Sequence, residues 1–430
     1  MILVFGALIL ILLMVLAIPL GYALGLAGIA SLSMLVPINS IQALMSNAVY
    51  ASVAQSTFLT IPMFVLMAEF LSCGGVAEDM LLACNKMLRK VRGGLAMACI
   101  LAGVVHAAAT GSSAASAASL ARASFPAMMR AGYATSFATG TIAIAGTLAI
   151  MIPPSVAFVL YGLTTETSIG KLFLAGIFPG LITALGYILT ISVVLWLRPD
   201  LGPNAQKEAE IAAMSGKESK QSGKIWPMVL LIVIILGGLY GGVATPTEIS
   251  AIGALGALLI SLGSRRMTRA NFTDAVGATL RITTMIIMIV IGAHLFGHFI
   301  SFSRATDVML AWIAAAHMAP ISVVIILVLV YLALGAFMDQ SAIIILTAPI
   351  TTPLVVGLGY DPVWWGVIMV KTAEIGLVHP PLGLVTFVVS NATKTDLRSN
   401  FIGVIPYIVT ELLILAALVA FPEITLWLTR

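Results

Sequence analysis

Charged side chains are scarce in this sequence, where they make up 9% of 430 residues. Soluble domains carry about 25% charged residues. The polar side chains present are too few to cover a water-facing surface of this size, which excludes a soluble globular protein. Hydrophobic residues make up 60% of the chain, and apolar runs long enough to cross a bilayer recur along its length. The sequence therefore predicts a polytopic membrane protein.

Several functional motifs are also missing. The three cysteines, Cys73, Cys84 and Cys99, have no metal-ligand spacing, and we interpret them as small apolar residues. No Gly-x-x-x-x-Gly-Lys-Ser/Thr phosphate loop occurs, which argues against an ATP-driven pump. The absence of His-Glu-x-x-His and Gly-x-Ser-x-Gly disfavours a membrane-embedded hydrolase. The net charge of +4 gives no indication of nucleic-acid binding.

Hydropathy predicts spanning helices in two sets, separated by one long polar stretch at 198–226. We interpret that stretch as a cytoplasmic linker between a first half, 1–197, and a second half, 227–430. The first run is predicted to span the membrane and not to be a removed signal peptide, because it lacks a basic start and a cleavage site. The predicted spans lie near 2–20, 21–37, 57–73, 134–163, 172–197, 227–243, 246–263, 283–302, 361–389 and 402–426.

Two further stretches, 94–130 and 320–356, are interrupted halfway by small and polar residues. Each predicts a re-entrant helical hairpin, because non-helical backbone is tolerated at membrane depth only inside protein or beside a wet cavity. The spans 134–163 and 361–389 each contain a double proline, which breaks a helix. Each half is thus expected to hold one hairpin and one broken helix.

The two halves repeat at a constant offset of 227 residues. Pro126 matches Pro353, and the dipeptides Gly-Tyr at 132–133 and Pro-Pro at 153–154 recur at 359–360 and 380–381. Lys and Arg residues cluster at 86–92, 217–224 and 265–269. Placing these clusters in the cytoplasm satisfies the positive-inside rule and requires five crossings per half. An odd number inverts the second half, with both chain ends outside. The predicted fold class is an all-α membrane protein of two inverted-topology repeats, a design of many secondary transporters.

A broken helix beside a hairpin tip offers free carbonyl and hydroxyl oxygens for Na⁺ and helix N-termini for a carboxylate. The predicted cation-binding residues are Gly111, Ser112 and Thr147 in the first half and Asp339, Ser341, Glu374 and Gly376 in the second. The predicted substrate-binding residues are Ser113, Thr147, Pro154, Gln340 and Pro381. In the alternative interpretation, the serines and glycines serve close helix packing, and Asp339 or Glu374 pairs with Lys371.

Three segments carry a resemblance to a known family. They are Gly-Val-Ala-Thr-Pro-Thr-Glu at 242–248, Gly-Thr-Leu at 146–148 running into Ile-Pro-Pro-Ser at 152–155, and Glu-Ile-Gly-Leu at 374–377 running into Pro-Pro at 380–381. Over essentially its whole length, the chain resembles the large membrane subunit of tripartite ATP-independent periplasmic (TRAP) transporters.

The resemblance implies a function and two partners. Such subunits work with a small four-helix membrane subunit and a soluble periplasmic substrate-binding protein in the bacterial inner membrane. It further implies carboxylate import by Na⁺ symport, with a hairpin-bearing core that moves as an elevator against a fixed scaffold. The alternative is an organic-anion transporter of the same fold that is coupled to protons or needs no binding protein.

Overall fold

The computed structural model describes residues 2–88, 91–203 and 226–430. Throughout these ranges the regular elements are helices, and no strand is present among them. The α-helices are α1 (Ile2–Val15), α2 (Leu20–Leu32), α3 (Ile38–Ala54), α4 (Thr60–Cys73), α5 (Val76–Leu88), α6 (Gly94–Thr110), α7 (Ser113–Ala131), α8 (Thr135–Thr147), α9 (Val156–Thr165), α10 (Ile169–Leu197), α11 (Trp226–Tyr240), α12 (Pro246–Gly263), α13 (Arg269–Phe302), α14 (Ala305–Ala315), α15 (Pro320–Gly335), α16 (Gln340–Gly357), α17 (Pro362–Gly376), α18 (Leu384–Thr393), α19 (Leu397–Ala420) and α20 (Glu423–Leu426).

Six helical segments of the described residues are long and apolar enough to cross a membrane. They are Ser56–Cys73, Ile169–Leu197, Pro246–Gly263, Arg269–Phe302, Gln340–Gly357 and Leu397–Ala420. Shorter apolar helices, such as α1 and α15, accompany them. The prediction of an all-α polytopic membrane protein is confirmed.

Helix ends fall at the four predicted interruptions. Residues 111–112 separate α6 from α7, and residues 336–339 separate α15 from α16. The double prolines lie in the other two gaps, between α8 and α9 and between α17 and α18, and both Pro-Pro bonds are cis. The chain thus alternates short helices with non-helical backbone at the places where the sequence places its glycines, serines and prolines.

Helices pack across the halves in reciprocal pairs. Helix α9 packs on α16 while α18 packs on α7, and α8 packs on α19 while α10 packs on α17. Each pairing maps onto its counterpart under the 227-residue offset. This reciprocal packing is the pattern expected of two repeats related by a pseudo-two-fold axis. The inverted membrane orientation of the halves and the re-entrant character of the hairpins stay predictions.

Glycine allows the closest of these packings. A Cβ atom built on Gly140 of α8 would lie 2.8 Å from the Cα atom of Gly403 on α19. Beside this contact, the hydroxyls of Thr141, the residue after Gly140, and Tyr407, one turn after Gly403, form a hydrogen bond of 2.7 Å. Small residues let membrane helices approach in this way, and the buried hydroxyls then satisfy each other.

The most distinctive segment of the sequence, 242–248, forms the start of α12. The Thr245 side chain accepts a hydrogen bond from the Glu248 backbone N–H at 3.3 Å, and the Glu248 carboxylate accepts one from the Thr245 backbone N–H at 2.8 Å. Pro246 occupies the first helical turn, where no donor is lost. This capping box explains the segment as a helix-start signal.

Thr245→Ala is expected to lower the free energy of unfolding by about 1 kcal/mol, because the Glu248 backbone N–H at the start of α12 loses its fixed partner. Thermal unfolding of the detergent-solubilised protein measures this change. Thr273→Ala, at an exposed threonine whose hydroxyl bonds within its own helix, is the control. Equal unfolding temperatures for the two variants would contradict a stabilising role for the cap.

Three helix predictions differ from the structure. Helix α3 was not predicted, because its Asn, Ser and Gln residues lower the local hydropathy. Helix α13 begins at Arg269 and not near 283, because its first turns are polar but still helical. The last predicted span, 402–426, ends at Ala420, since Pro422 follows. Most of the predicted linker, at 204–225, lies outside the described residues.

Candidate functional site

In the first half, the turn between α6 and α7 lies against the interruption that follows α8. Gly111 has φ +56°, a left-handed conformation that glycine adopts without strain. A Cβ atom built on it would lie 3.3 Å from the Pro154 carbonyl oxygen. The hairpin turn and the non-helical backbone after α8 therefore share one location, as predicted.

Serine side chains line this location in different roles. Ser112 is extended and begins α7, but its hydroxyl does not cap that helix. Ser113 is buried behind it. Ser155 closes the interruption, because its hydroxyl donates to the Ile150 carbonyl at 2.5 Å and accepts from the Phe158 N–H. Sequence reasoning found Ser112 and Ser113 but assigned no role to Ser155.

In the second half, Asp339 and its neighbours begin α16. The Asp339 carboxylate accepts a hydrogen bond from the Ser341 N–H at 2.9 Å, which makes it the N-cap of that helix. Asp339 is exposed, whereas Gln340 is 5% exposed. Among the described residues no hydrogen-bond partner reaches the Gln340 side-chain oxygen. A buried polar atom of this kind is costly unless something bonds to it.

The preceding hairpin arm meets the end of α17. A Cβ atom built on Gly335, the last residue of α15, would lie 2.7 Å from the Cα atom of Gly376, the last residue of α17. The gap after Gly376 is open, since Pro381 is exposed, whereas its counterpart Pro154 is buried. The two halves thus have similar helix interruptions, but the interruption in the second half is more exposed to solvent.

The two halves meet at Thr147 and Glu374. These residues are equivalent under the 227-residue offset, and the Thr147 hydroxyl lies beside the Glu374 carboxyl group. Thr147 donates its hydroxyl proton to the Ile144 carbonyl at 2.9 Å. Both side chains are buried. The structure therefore brings one predicted residue from each half into contact.

Lys371 holds the Glu374 carboxylate. Its ammonium group lies 3.0 Å from Glu374 Oε2, donates to the Thr183 hydroxyl at 2.9 Å and forms a second ion pair with Glu411. The side chains of Lys371, Glu374 and Glu411 are at most 1% exposed. The alternative considered for Glu374, pairing with Lys371, is what the structure shows, whereas Asp339 caps its own helix.

Glu411 was missed in the sequence, although a signal for it was present. It is an acidic residue inside a predicted span, and an intramembrane acid is a functional candidate by default. The same rule had selected Glu374. The ion cluster of Lys371, Glu374 and Glu411 joins α17 to α19, and Thr183 adds α10.

The groups near the two turns that could bind a cation are mainly uncharged oxygens. Across the described ranges, no three His, Cys, Asp or Glu side chains are placed to hold a metal ion. The oxygens near the two turns, backbone carbonyls and hydroxyls together with the Asp339 carboxylate, are of the kind that hard cations prefer. Near the same turns, the N-termini of α7 and α16 present backbone N–H groups that suit an anion.

Comparison with known proteins decides the family. A profile described as "Tripartite ATP-independent periplasmic transporter, DctM component" matches residues 7–424. The chain belongs to this DctM family. As a DctM component, it is a membrane permease subunit of a multi-part transporter and not an enzyme, and it is a multi-pass protein of the inner membrane.

Two relatives illustrate the range of the DctM family. The chain is 35% identical over 407 residues to the C4-dicarboxylate TRAP transporter large permease protein of Pseudomonas aeruginosa, covering 94% of this chain and 93% of that protein. It is 30% identical over 420 residues to the isethionate TRAP transporter permease protein DctMQ of Oleidesulfovibrio alaskensis. That match covers 96% of this chain but 64% of the longer protein.

A solved structure shares the fold of this DctM chain. The Alcanivorax borkumensis YdaH transporter aligns with a TM-score of 0.62 over 97% of this chain and 98% of that one. The sequence identity is 15%, so the likeness concerns the fold alone.

Proposed function

We propose that this chain imports an organic anion by Na⁺ symport through elevator-type movement of its hairpin-bearing core. A periplasmic binding protein delivers the substrate, and a small four-helix membrane subunit completes the permease. The observation that supports this proposal most directly is the contact of a hairpin with the interrupted helix in each half. A ligand bound at this contact would hold the hairpin and the interrupted helix together. The core would then be rigid only when the site is occupied.

The proposed sodium ligands are neutral oxygens and one carboxylate. In the first half they are the carbonyl of Gly111 and the hydroxyls of Ser112 and Thr147. In the second half they come from Asp339, Ser341 and the carbonyl of Gly376. We leave the Glu374 carboxylate out of this set because Lys371 already holds it.

The proposed substrate is an anion that lies between the two turns. Ser113 and Gln340 begin α7 and α16, whose N-terminal N–H groups attract negative charge. The buried side-chain oxygen of Gln340 can only accept a hydrogen bond, so it suits a hydroxyl group of the substrate and not its charged group. Thr147, Pro154 and Pro381 would shape the remaining walls. Both relatives described above are named for anionic substrates, a dicarboxylate and a sulfonate.

The deciding experiment is uptake into proteoliposomes that contain this chain and its small membrane subunit, with a cognate binding protein added outside. Accumulation of a C4-dicarboxylate or a related anion is expected to need both an inward Na⁺ gradient and the binding protein. Accumulation driven by a proton gradient without Na⁺ would contradict the symport proposal. Accumulation without the binding protein would contradict the three-component scheme.

Two substitutions at Asp339 separate charge from capping. Asparagine is as good an N-cap as aspartate, so Asp339→Asn retains the start of α16 and removes the charge. We expect the Na⁺ concentration for half-maximal uptake to rise about tenfold or more in this variant, because a charged ligand is lost. Asp339→Ala is expected to show the same rise together with a stability loss of about 1 kcal/mol.

Asp396→Asn is the matched control for this pair. Asp396 caps α19 in the same way, by accepting from the Ser399 N–H at 3.1 Å, and lies at another helix start. Its variant is expected to show the Na⁺ dependence of the native protein. Native Na⁺ dependence in Asp339→Asn as well would remove Asp339 from the proposed ligands.

A further inference from the structure

The charges of the buried ion cluster do not cancel. Lys371 supplies one positive charge, while Glu374 and Glu411 supply two negative charges if both are ionised. All three side chains are at most 1% exposed, and the fourth member, Thr183, is neutral. An uncompensated charge sealed away from water is strongly unfavourable, even when one partner is close.

Among the described residues, the helices packed on α19 bring no further buried cation to Glu411. Helix α19 packs against α8, α10, α17 and α18. Helices α8 and α18 carry no ionisable side chain, and α17 carries only Lys371 and Glu374. Helix α10 adds the phenol of Tyr187 and, at its exposed start, Lys171. On α19 itself, Arg398 is exposed near the first turn and Tyr407 is neutral.

The free oxygen of Glu411 accommodates a proton better than a metal ion. Lys371 pairs with Glu411 through Oε2, and in the described part of the chain no hydrogen-bond partner reaches the buried Oε1. Glu374 Oε1 also lacks a hydrogen-bond partner there, but the Thr147 hydroxyl lies beside the Glu374 carboxyl group, so the proton is assigned to Glu411. A hard metal cation takes about six oxygen ligands, and the neighbouring ammonium group would repel it. A proton needs one oxygen and brings the cluster to neutrality.

We propose that Glu411 is a proton-binding site, which carries one exchangeable proton on Oε1 and thereby neutralises the buried cluster of Lys371, Glu374 and Glu411. The proton comes from water and returns to it, and the O–H bond is the one bond that changes. The transporter then responds to proton concentration in addition to its driving ion. The transport test below rests on the proposed Na⁺ symport, whereas the spectroscopic test does not.

The spectroscopic test compares infrared spectra of the purified native protein and Glu411→Gln. The native spectrum is expected to contain a protonated carboxylic-acid band that shifts in D₂O and is lost in Glu411→Gln. Glu423→Gln is the matched control, because Glu423 is exposed and pairs with Arg430 at 2.7 Å; it is expected to retain the band. If the spectrum of Glu411→Gln retained the whole native band, the proposal would be overturned.

The transport test measures uptake at a fixed inward Na⁺ gradient over a range of pH. Above the midpoint of the pH profile, native uptake is expected to fall about tenfold for each pH unit, because one required proton is lost. Glu411→Gln, which mimics the protonated acid, is expected to stay within twofold of its own low-pH uptake (a roughly flat profile). Glu423→Gln is expected to follow the native profile.

The outcomes separate the two proposals. Native uptake without Na⁺ dependence at any pH would sink the symport proposal and leave the infrared result valid. Identical pH profiles for native protein and Glu411→Gln would sink the proton site and leave symport intact. If Glu411→Gln does not fold, the native infrared spectrum alone decides, because absence of a protonated acid band contradicts the proposal directly.

Discussion

Lys371→Met is expected to abolish transport and to lower the free energy of unfolding by about 3–5 kcal/mol. The variant keeps the volume of the side chain but leaves Glu374 and Glu411 without their shared cation. Both carboxyl groups are buried among α10, α17 and α19, so water cannot replace the ammonium group. Thermal unfolding and uptake in proteoliposomes, measured on the same preparation, check both parts of the expectation.

The control for this change is Lys171→Met. Lys171 lies on α10, as does the Thr183 partner of Lys371, but its side chain is exposed. Its replacement is expected to change stability by less than about 0.5 kcal/mol. If the free energy of unfolding of Lys371→Met were within about 1 kcal/mol of the native value, the ion cluster would not be a structural requirement of the core.

Gly376→Val is expected to reduce uptake at least about tenfold and to destabilise the protein by about 3 kcal/mol. The backbone of Gly335 already touches the backbone of Gly376 where α15 and α17 end. A side chain at this point has no flexible neighbour to displace, so the hairpin arm must move away from the interrupted helix. Uptake and thermal unfolding measure the two effects.

Gly237→Val on α11 is the matched control, because a Cβ atom there meets nothing within 4 Å. The same substitution at a helix position with room for a side chain is expected to leave transport unchanged. If both variants transported at the native rate, close contact between the hairpin and the interrupted helix would be unnecessary for function.

The sequence was most informative where the backbone must leave the helical conformation. Glycine permits and proline imposes non-helical backbone, so Gly111, Gly335 and the two double prolines predicted four helix interruptions correctly. Helix α3 was not predicted because hydropathy depends on the side chains alone, and its polar residues lower the local value. Packing against other helices, which hydropathy does not include, stabilises it. The TRAP resemblance, based on short motifs, is confirmed over nearly the whole chain.

Side-chain partnerships were harder to predict than interruptions. Thr147 and Glu374 are distant in sequence, and their contact depends on how the halves pack. Lys371 lies one turn before Glu374 and was considered as its partner, but Glu411 comes from another helix and was not considered. Segment 242–248 carried the family resemblance, and its geometry is that of a helix cap. The sodium and substrate residues stay predictions that the proposed variants test.

The contact between Thr147 and Glu374 bears on the ancestry of the chain. If both halves descend from one duplicated segment, this position once faced an identical copy of itself across the two-fold axis. Two threonine hydroxyls can bond to each other there, whereas two glutamates would repel in a medium that excludes water. The acid is then the later acquisition, and a lysine one turn earlier had to precede it or arrive with it. Divergence of the halves would have started where they touch.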